Sequence, residues 1–208
     1  MARTLVVLSW SGGKDSVLAL VELRKDPERR RKRMQTRWIV IAGLIGAAAA
    51  TRLLPHPPNV TPIAAMALFG GAHLADRRLA LLVPLAAMLA SDLVLGLHAL
   101  LPVVYGAFAL IVWIGTRLAG RITPMRVAAA TLAGSLLFFV VTNFGVWALG
   151  GLYPRTAAGL VAAYVAAIPF FRNTLLGDAA YALLLFGGYA LLARGLAAAQ
   201  GRTQPGRV

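Results

Sequence analysis

Apolar segments long enough to cross a lipid bilayer follow one another along most of this 208-residue chain, and they constrain its fold more than any other feature. A bilayer core about 30 Å thick needs about 20 mostly apolar residues per helix, and helices satisfy every backbone polar group inside it. Apolar residues make up 59% of the chain and charged residues 13%, which is far below the charged share of soluble proteins. We therefore predict an all-α integral membrane protein.

The lengths of the apolar segments predict six transmembrane helices. They are Trp38–Leu54, Thr61–Ala75, Leu79–Leu97, Leu100–Leu118, Val127–Leu149 and Thr174–Ala193. A seventh stretch, Thr156–Phe171, is short and carries Pro169 near its end, so we predict a short outer-face or re-entrant helix there. The first segment also resembles a secretory signal peptide, because basic residues precede it and a run of alanines ends it; this alternative stays open.

The basic residues test this count, because Lys and Arg accumulate on the cytoplasmic side of a membrane. With six spans and both termini inside, 18 of the 21 Lys and Arg residues are cytoplasmic and three are outside. A seventh span would move Arg172 inside and the last three arginines outside, which gives 16 to 5. The sequence therefore favours six spans in a bacterial cell membrane, with the N-terminus and the C-terminus in the cytoplasm.

Composition also limits the chemistry. The net charge of +14 comes mostly from residues that flank apolar segments, so it indicates membrane topology and not nucleic-acid binding. The chain has no cysteine, and its three histidines are far apart in the sequence, so no metal site and no catalytic group is predicted. The sequence indicates no cofactor bound by this chain itself.

Two acidic residues lie within the predicted spans, and such residues are costly in a bilayer unless they have a function or a partner. Asp92 and Asp178 fall at a similar predicted depth in the outer half, together with most other embedded polar side chains. We predict one solute pocket open to the outside, lined by Asp92, Asn143 and Asp178, with His56, Asn59, Tyr105, Trp147 and Asn173 at its rim. The alternative is that the two aspartates only pair with Arg52 or Arg172 and hold helix ends together.

Small residues in the first span predict contact with a partner helix. Two rows of small residues, spaced four apart, allow another helix to approach closely. They consist of Ala42, Gly43, Gly46, Ala47 and Ala50.

Between about Trp38 and Ala193 the chain resembles an uncharacterised family of bacterial putative transport proteins, which is similar to the S components of energy-coupling factor transporters. The resemblance rests on RLLPHPPNVTPIAAMALFGGAHL, SDLVLGLH, TNFGVW and YVAAIPFFRNTLLGDAAYALLLFGGYAL. It implies a six-helix subunit that captures a small solute or micronutrient from outside. It also implies partners, a coupling subunit and ATPases, which would use the ATP. The open alternative is a standalone carrier or structural membrane protein that uses Asp92 and Asp178 for protons or packing.

The N-terminus carries a different signal, the sequence SGGKDS at Ser11, Gly12, Gly13, Lys14, Asp15 and Ser16. An apolar strand-like run precedes it and a helix-like run follows, which is the arrangement of a phosphate-binding loop. Residues 4–26 resemble the start of PP-loop ATP pyrophosphatases, most closely the diphthine–ammonia ligase group, and this implies phosphate binding by those six residues. No second strand–helix unit follows, so we predict a truncated fragment at 1–26 and not an enzyme. A basic linker at 27–37, the membrane domain at 38–194 and a disordered cytoplasmic tail at 195–208 complete the predicted organisation.

Overall fold

The computed structural model describes residue 43 and residues 45–201, with side chains as far as residue 194. Within this range every regular element is helical, which confirms the predicted all-α class for the described part of the chain. The PP-loop-like segment, its predicted strand and the basic linker lie outside the described residues.

The helices are named here in chain order. Residues 45–53 form α1, and they are followed by α2 (Ile63–His73), α3 (Arg77–Leu95), α4 (Leu101–Thr116), α5 (Pro124–Leu149) and α6 (Ala157–Ala182), then by a π-helical turn (Leu183–Gly187) and α7 (Gly188–Gly201). The predicted segments from Thr61 to Leu149 therefore lie within a few residues of α2 to α5. The last helix continues beyond residue 194, where we predicted the start of the tail.

Side-chain caps explain where three of the helices begin. Asp76 accepts a hydrogen bond from the backbone N–H of Arg78, and Thr123 and Thr156 cap α5 and α6 in the same way. Each cap satisfies a backbone donor that has no partner inside the first turn of the helix. Proline at the first position of α5 adds to this start, because its missing N–H is not needed there.

In the described part of the chain, three helical stretches are long and apolar enough to cross a membrane: Arg77–Leu95, Pro124–Leu149 and Ala157–Arg194. The last of these joins α6, the π-helical turn and the start of α7 into one continuous helix. The helices α2 and α4 are apolar but shorter, with 11 and 16 residues. These lengths and compositions are those of a membrane protein.

The predicted division of the last part of the chain is corrected by this continuous helix. We expected a short helix at Thr156–Phe171 and a separate span from Thr174, because Pro169 and the polar pair Arg172 and Asn173 are typical of a helix boundary. Instead Pro169 lies inside α6. Neighbouring helices, hydroxyl side chains and small local adjustments of the helix can compensate for a proline within a membrane helix, so Pro169 does not have to end α6.

The short helix α2 forms the centre of the molecule. Nine of its 11 residues are buried, and it packs against α3, α4, α5 and α6. Its contact with α4 is made by glycines: a Cβ atom on Gly71 would lie 2.3 Å from the carbonyl oxygen of Val112, and one on Gly115 would lie 2.3 Å from that of Leu68. Small residues of this kind allow two helix backbones to approach closely.

The packing gives the helix bundle two distinct ends. Gly145, near the end of α5, contacts Val103, near the start of α4, and Trp147 donates a hydrogen bond to the carbonyl of Pro154. We call this the Pro154 end; it carries the turns at 96–100 and 150–156. The opposite, Arg121 end carries the turns at 74–76 and 117–123.

Candidate functional site

An ion pair links α1 to α3 near the Pro154 end. The guanidinium of Arg52 lies 2.7 Å from Oδ1 of Asp92, and these side chains are 17% and 2% exposed. The same nitrogen of Arg52 also donates to the carbonyl oxygen of Met88 at 3.3 Å and to the hydroxyl of Ser91. Tyr105 on α4 donates its hydroxyl proton to Oδ2 of Asp92 at 2.9 Å. The cluster thus joins three helices.

Both carboxylate oxygens of Asp92 are therefore engaged by donors of the chain itself. A buried charge is tolerated when it is paired and hydrogen-bonded, and Arg52 and Tyr105 provide both conditions. A solute that bound this carboxylate would have to displace one of them. Of the two interpretations left open by the sequence, this geometry favours the helix-end pair for Asp92.

The second aspartate, Asp178 on α6, lies in a different environment. It is 4% exposed, and Ser135 on α5 lies 2.7 Å from its Oδ2. The two residues border a small cavity of about 10 Å³. The cavity is lined by Ala64, Ala65, Leu68, Ile111, Ala130, Thr131, Gly134, Ser135 and Asp178.

The two aspartates lie at different levels along the bundle, which corrects the similar depth that we predicted. Tyr105 contacts Asp92, whereas Ile111 lines the cavity beside Asp178. These two residues of α4 are about 9 Å apart along the helix axis, at about 1.5 Å per residue. The wrong helix boundary at Thr174 caused the error, because Asp178 lies about six turns after the first residue of α6.

The other predicted pocket residues make mostly local contacts. Asn143 donates to the carbonyl of Phe139 on its own helix at 2.7 Å, and Trp147 donates to the carbonyl of Pro154 at 3.0 Å. The exposed His56 ring lies 2.6 Å from the carbonyl oxygen of Leu54. The contacts of Trp147 and His56 lie at turns and that of Asn143 lies within α5, and they do not connect Asn143 or Trp147 to either aspartate.

Asn59 has a conformational role. Its φ of 66° lies in the left-handed region, and the N–H of Val60 donates to the carbonyl of Pro57 at 3.1 Å. Asparagine tolerates this backbone conformation better than most residues, so it suits the third position of the turn. Asn173 lies half-buried within α6. The proposed role of these residues in solute binding stays a prediction.

A larger, mostly apolar cavity lies between α4, α5 and α6 at the Pro154 end, and it is open to the surface past the exposed side chains of Val140, Phe144 and Leu149. Its volume is about 370 Å³, which is within the usual size range of small-molecule sites. The phenol group of Tyr164 donates to the carbonyl of Val140 at 2.8 Å. The lining residues are Val103, Val140, Val141, Phe144, Gly145, Ala148, Leu149 and Tyr164.

This cavity and the partners of Asp178 were not predicted from the sequence. Ser135 and Thr131 are spaced four residues apart in an apolar helix, so they lie on one face, and small polar residues of that kind are typical of helix contacts. That spacing could have identified them. Nothing in the sequence around Tyr164 distinguishes it from an aromatic residue at a membrane interface.

The small residues of α1 face outward. Gly46, Ala47 and Ala50, and Gly43 just before this helix, are exposed, and no side chain or distant backbone atom of the described residues lies within 4 Å of the position that a Cβ would take on either glycine. Ala48 and Ala49 are buried against the bundle instead. Ala42 lies outside the described residues.

Comparison with known proteins gives one match. A family model described as "Family of unknown function (DUF6580)" matches residues 32–199, which include all the helices given above except the last two residues of α7. No curated protein and no solved structure matches the chain.

Proposed function

Because this chain belongs to the DUF6580 family of unknown function, we propose its function from its own residues: it is a membrane-embedded subunit that captures a small solute. The cavity of about 370 Å³ at the Pro154 end carries this proposal, because it is a concave, mostly apolar space at the junction of three helices. Seven of its eight lining residues have apolar side chains or are glycine. The expected solute is therefore predominantly apolar, with a ring or short chain that fits beside Phe144 and Tyr164.

The proposal places the Pro154 end outside the cell and the Arg121 end in the cytoplasm. Arginines at the turns support this orientation, because Arg77, Arg78, Arg117, Arg121 and Arg126 lie at or near the Arg121 end, whereas Arg155 lies at the other. In this arrangement α1 to α6 cross the membrane six times, with both termini in the cytoplasm. A cysteine added after Val208 is then expected to resist a membrane-impermeant thiol reagent in intact cells, and its labelling would contradict the proposed topology.

Filling the apolar cavity tests solute capture. Ala148→Trp adds a large side chain to a lining residue, so we expect it to reduce occupancy by a co-purifying small molecule at least about tenfold, which corresponds to about 1.4 kcal/mol. Native mass spectrometry of the protein released from lipid nanodiscs measures this occupancy.

The matched control is Ala133→Trp, because Ala133 is an exposed residue of the same helix that does not line the cavity. The control is expected to keep the wild-type occupancy. A wild-type protein without any bound molecule, or equal occupancy in Ala148→Trp, would argue against capture in this cavity.

The outward-facing glycines of α1 support a partner helix in this proposal. If the chain works like an S component, a coupling subunit would pack on this face and ATPases bound to it would use ATP. Co-purification of such proteins in a complex, weakened by Gly46→Leu, is the corresponding test. The alternative is a standalone carrier or a structural membrane protein, for which the Arg52–Asp92 pair is the supporting observation.

An ATP-using enzyme is the less favoured proposal. The family match begins at residue 32, so the SGGKDS sequence lies outside it. Binding of ATP by the purified full-length chain, abolished by Lys14→Ala, would revive that proposal.

A further inference from the structure

Asp178 is a buried carboxyl group with no cationic partner among the described residues. The described ion pair is that of Arg52 with Asp92, and no Lys or Arg in the described part of the chain pairs with Asp178. Its polar neighbours are also buried: Ser135 is 0% exposed and Thr131 is 8% exposed. An isolated charge in such a place is costly, and embedded acidic residues commonly mark proton or ion sites.

The hydrogen bonds at Ser135 fit two protonation states of Asp178. The hydroxyl oxygen of Ser135 lies 2.7 Å from Oδ2 of Asp178 and 3.0 Å from the carbonyl oxygen of Thr131. A serine hydroxyl has one proton to donate and can also accept. When Asp178 is ionised, Ser135 donates to it. When Asp178 is protonated, the acid donates to Ser135, and Ser135 donates to the carbonyl of Thr131.

The same heavy atoms therefore satisfy both states without any movement. The cavity beside them, of about 10 Å³, has room for about one water molecule. A metal cation is less suited, because hard cations take about six or more oxygen ligands. In the cavity wall, side-chain oxygens come only from Asp178, Ser135 and Thr131. Within the described residues no cluster of three or more His, Cys, Asp or Glu residues is present either.

We propose that Asp178 and Ser135 form a proton-binding site inside the helix bundle. A hydronium ion transfers its proton to Oδ2 of Asp178; one O–H bond breaks in the hydronium, one forms on the carboxylate, and a water molecule remains. The proposal does not depend on solute capture. Of the two embedded aspartates, Asp178 is the one that takes up the proton, because the carboxylate of Asp92 is already held by Arg52 and Tyr105.

Of the residues that the structure describes, no other titratable or charged group lines this cavity. The residues that face Asp178 from α2, α4 and α5 are Ala64, Ala65, Leu68, Ile111, Ala130, Thr131, Gly134 and Ser135. Val60, from the segment before α2, contacts the adjacent Gly177. Along the chain, the nearest titratable or charged groups on the four helices are His73, Tyr105, Arg117, Arg126, Arg172 and Tyr181.

Infrared difference spectroscopy of the full-length protein in lipid nanodiscs tests the site, with a change of pH as the only stimulus. The wild-type protein is expected to show the carbonyl-stretch band of a protonated carboxylic acid that disappears as the pH rises. Asp178→Asn is expected to abolish this band, and Asp92→Asn is the matched control that is expected to retain it. Labelling aspartate with ¹³C should shift the band.

Ser135→Ala provides a second variant if Asp178→Asn does not fold. It keeps the carboxyl group and removes its hydrogen-bond partner, so the band is expected to persist at a shifted frequency. An unchanged band in Asp178→Asn, or a band that Ser135→Ala does not shift, would overturn the proposal. A wild-type band that Na⁺ removes at constant pH would overturn it in favour of a cation site.

Discussion

Gly71→Ala and Gly115→Ala are each expected to prevent the bundle from packing, with a large loss of folded protein. The added methyl group would lie 2.3 Å from a backbone carbonyl oxygen of the facing helix in both cases. The obstacle is backbone and not a flexible side chain, so α2 and α4 would have to separate. Overpacking in a well-packed core usually costs about 1–3 kcal/mol, and we expect the upper part of this range or more. Thermal unfolding in detergent and the yield of monodisperse protein measure the effect.

Gly106→Ala is the matched control for Gly115→Ala. Both residues lie in α4, but no side chain or distant backbone atom among the described residues lies within 4 Å of the position that a Cβ would take on Gly106. We expect the control to have the stability of the wild type. Because Gly71 and Gly115 meet at one contact, the double variant should cost less than the sum of the two single changes. Wild-type stability of either single variant would contradict the close approach of these helices.

The second large effect is expected at the buried ion pair. Arg52→Met leaves the carboxylate of Asp92 without its cation at 2% exposure, and removing one partner of a buried pair costs about 3–5 kcal/mol. The double change of Arg52→Met with Asp92→Leu removes both charges. It is expected to be closer in stability to the wild type than Arg52→Met alone, because no uncompensated charge remains. The double-mutant cycle compares the denaturation, in one detergent, of the wild type, Arg52→Met, Asp92→Leu and the double variant.

Arg172→Met is the control. It removes an exposed arginine that forms no ion pair with any of the described residues. A small change of stability is expected there. If the double variant instead shows the sum of the single losses, the pair does not explain the burial of Asp92. If Asp92→Asn retains full stability but loses the co-purifying solute, Asp92 is a solute ligand, as the polar pattern of the sequence suggested.

The lengths of the apolar segments predicted the positions of α2 to α5, because these segments are separated by turns that contain charged residues, glycine or proline. Prediction from length failed at Arg172 and Asn173 for a physical reason. A long arginine side chain can extend along a helix to reach a polar region, so a charged residue does not have to end a helix. Pro169 has the same ambiguity, since neighbouring groups can satisfy the carbonyl that it leaves without an N–H partner.

The candidate site was predictable only in part. The cost of embedded charge identified Asp92 and Asp178, and Arg52 was named among the possible ion-pair partners. The cost of an embedded charge is a property of one residue and does not indicate which helices face each other. The contact between Ser135 and Asp178 therefore could not be predicted from it. The apolar cavity was beyond prediction, because its lining residues resemble any lipid-facing side chains until three helices are brought together.

The unbroken helix from Ala157 to Arg194 has a mechanical consequence. Its 38 residues extend about 57 Å at 1.5 Å per residue, nearly twice the thickness of a bilayer core. Tilts of up to about 40° do not reduce this length to the thickness of the core, so if the helix crosses a bilayer, part of it must extend beyond the bilayer. If the part of this helix beside Tyr164 rotates about the helix axis, the far end rotates with it, unless the helix deforms between the two. The turn at Leu183–Gly187 has the wider hydrogen-bond spacing of a π-helix. Within the described residues, this turn is where the helix can accommodate such a rotation by a change in its hydrogen-bond register.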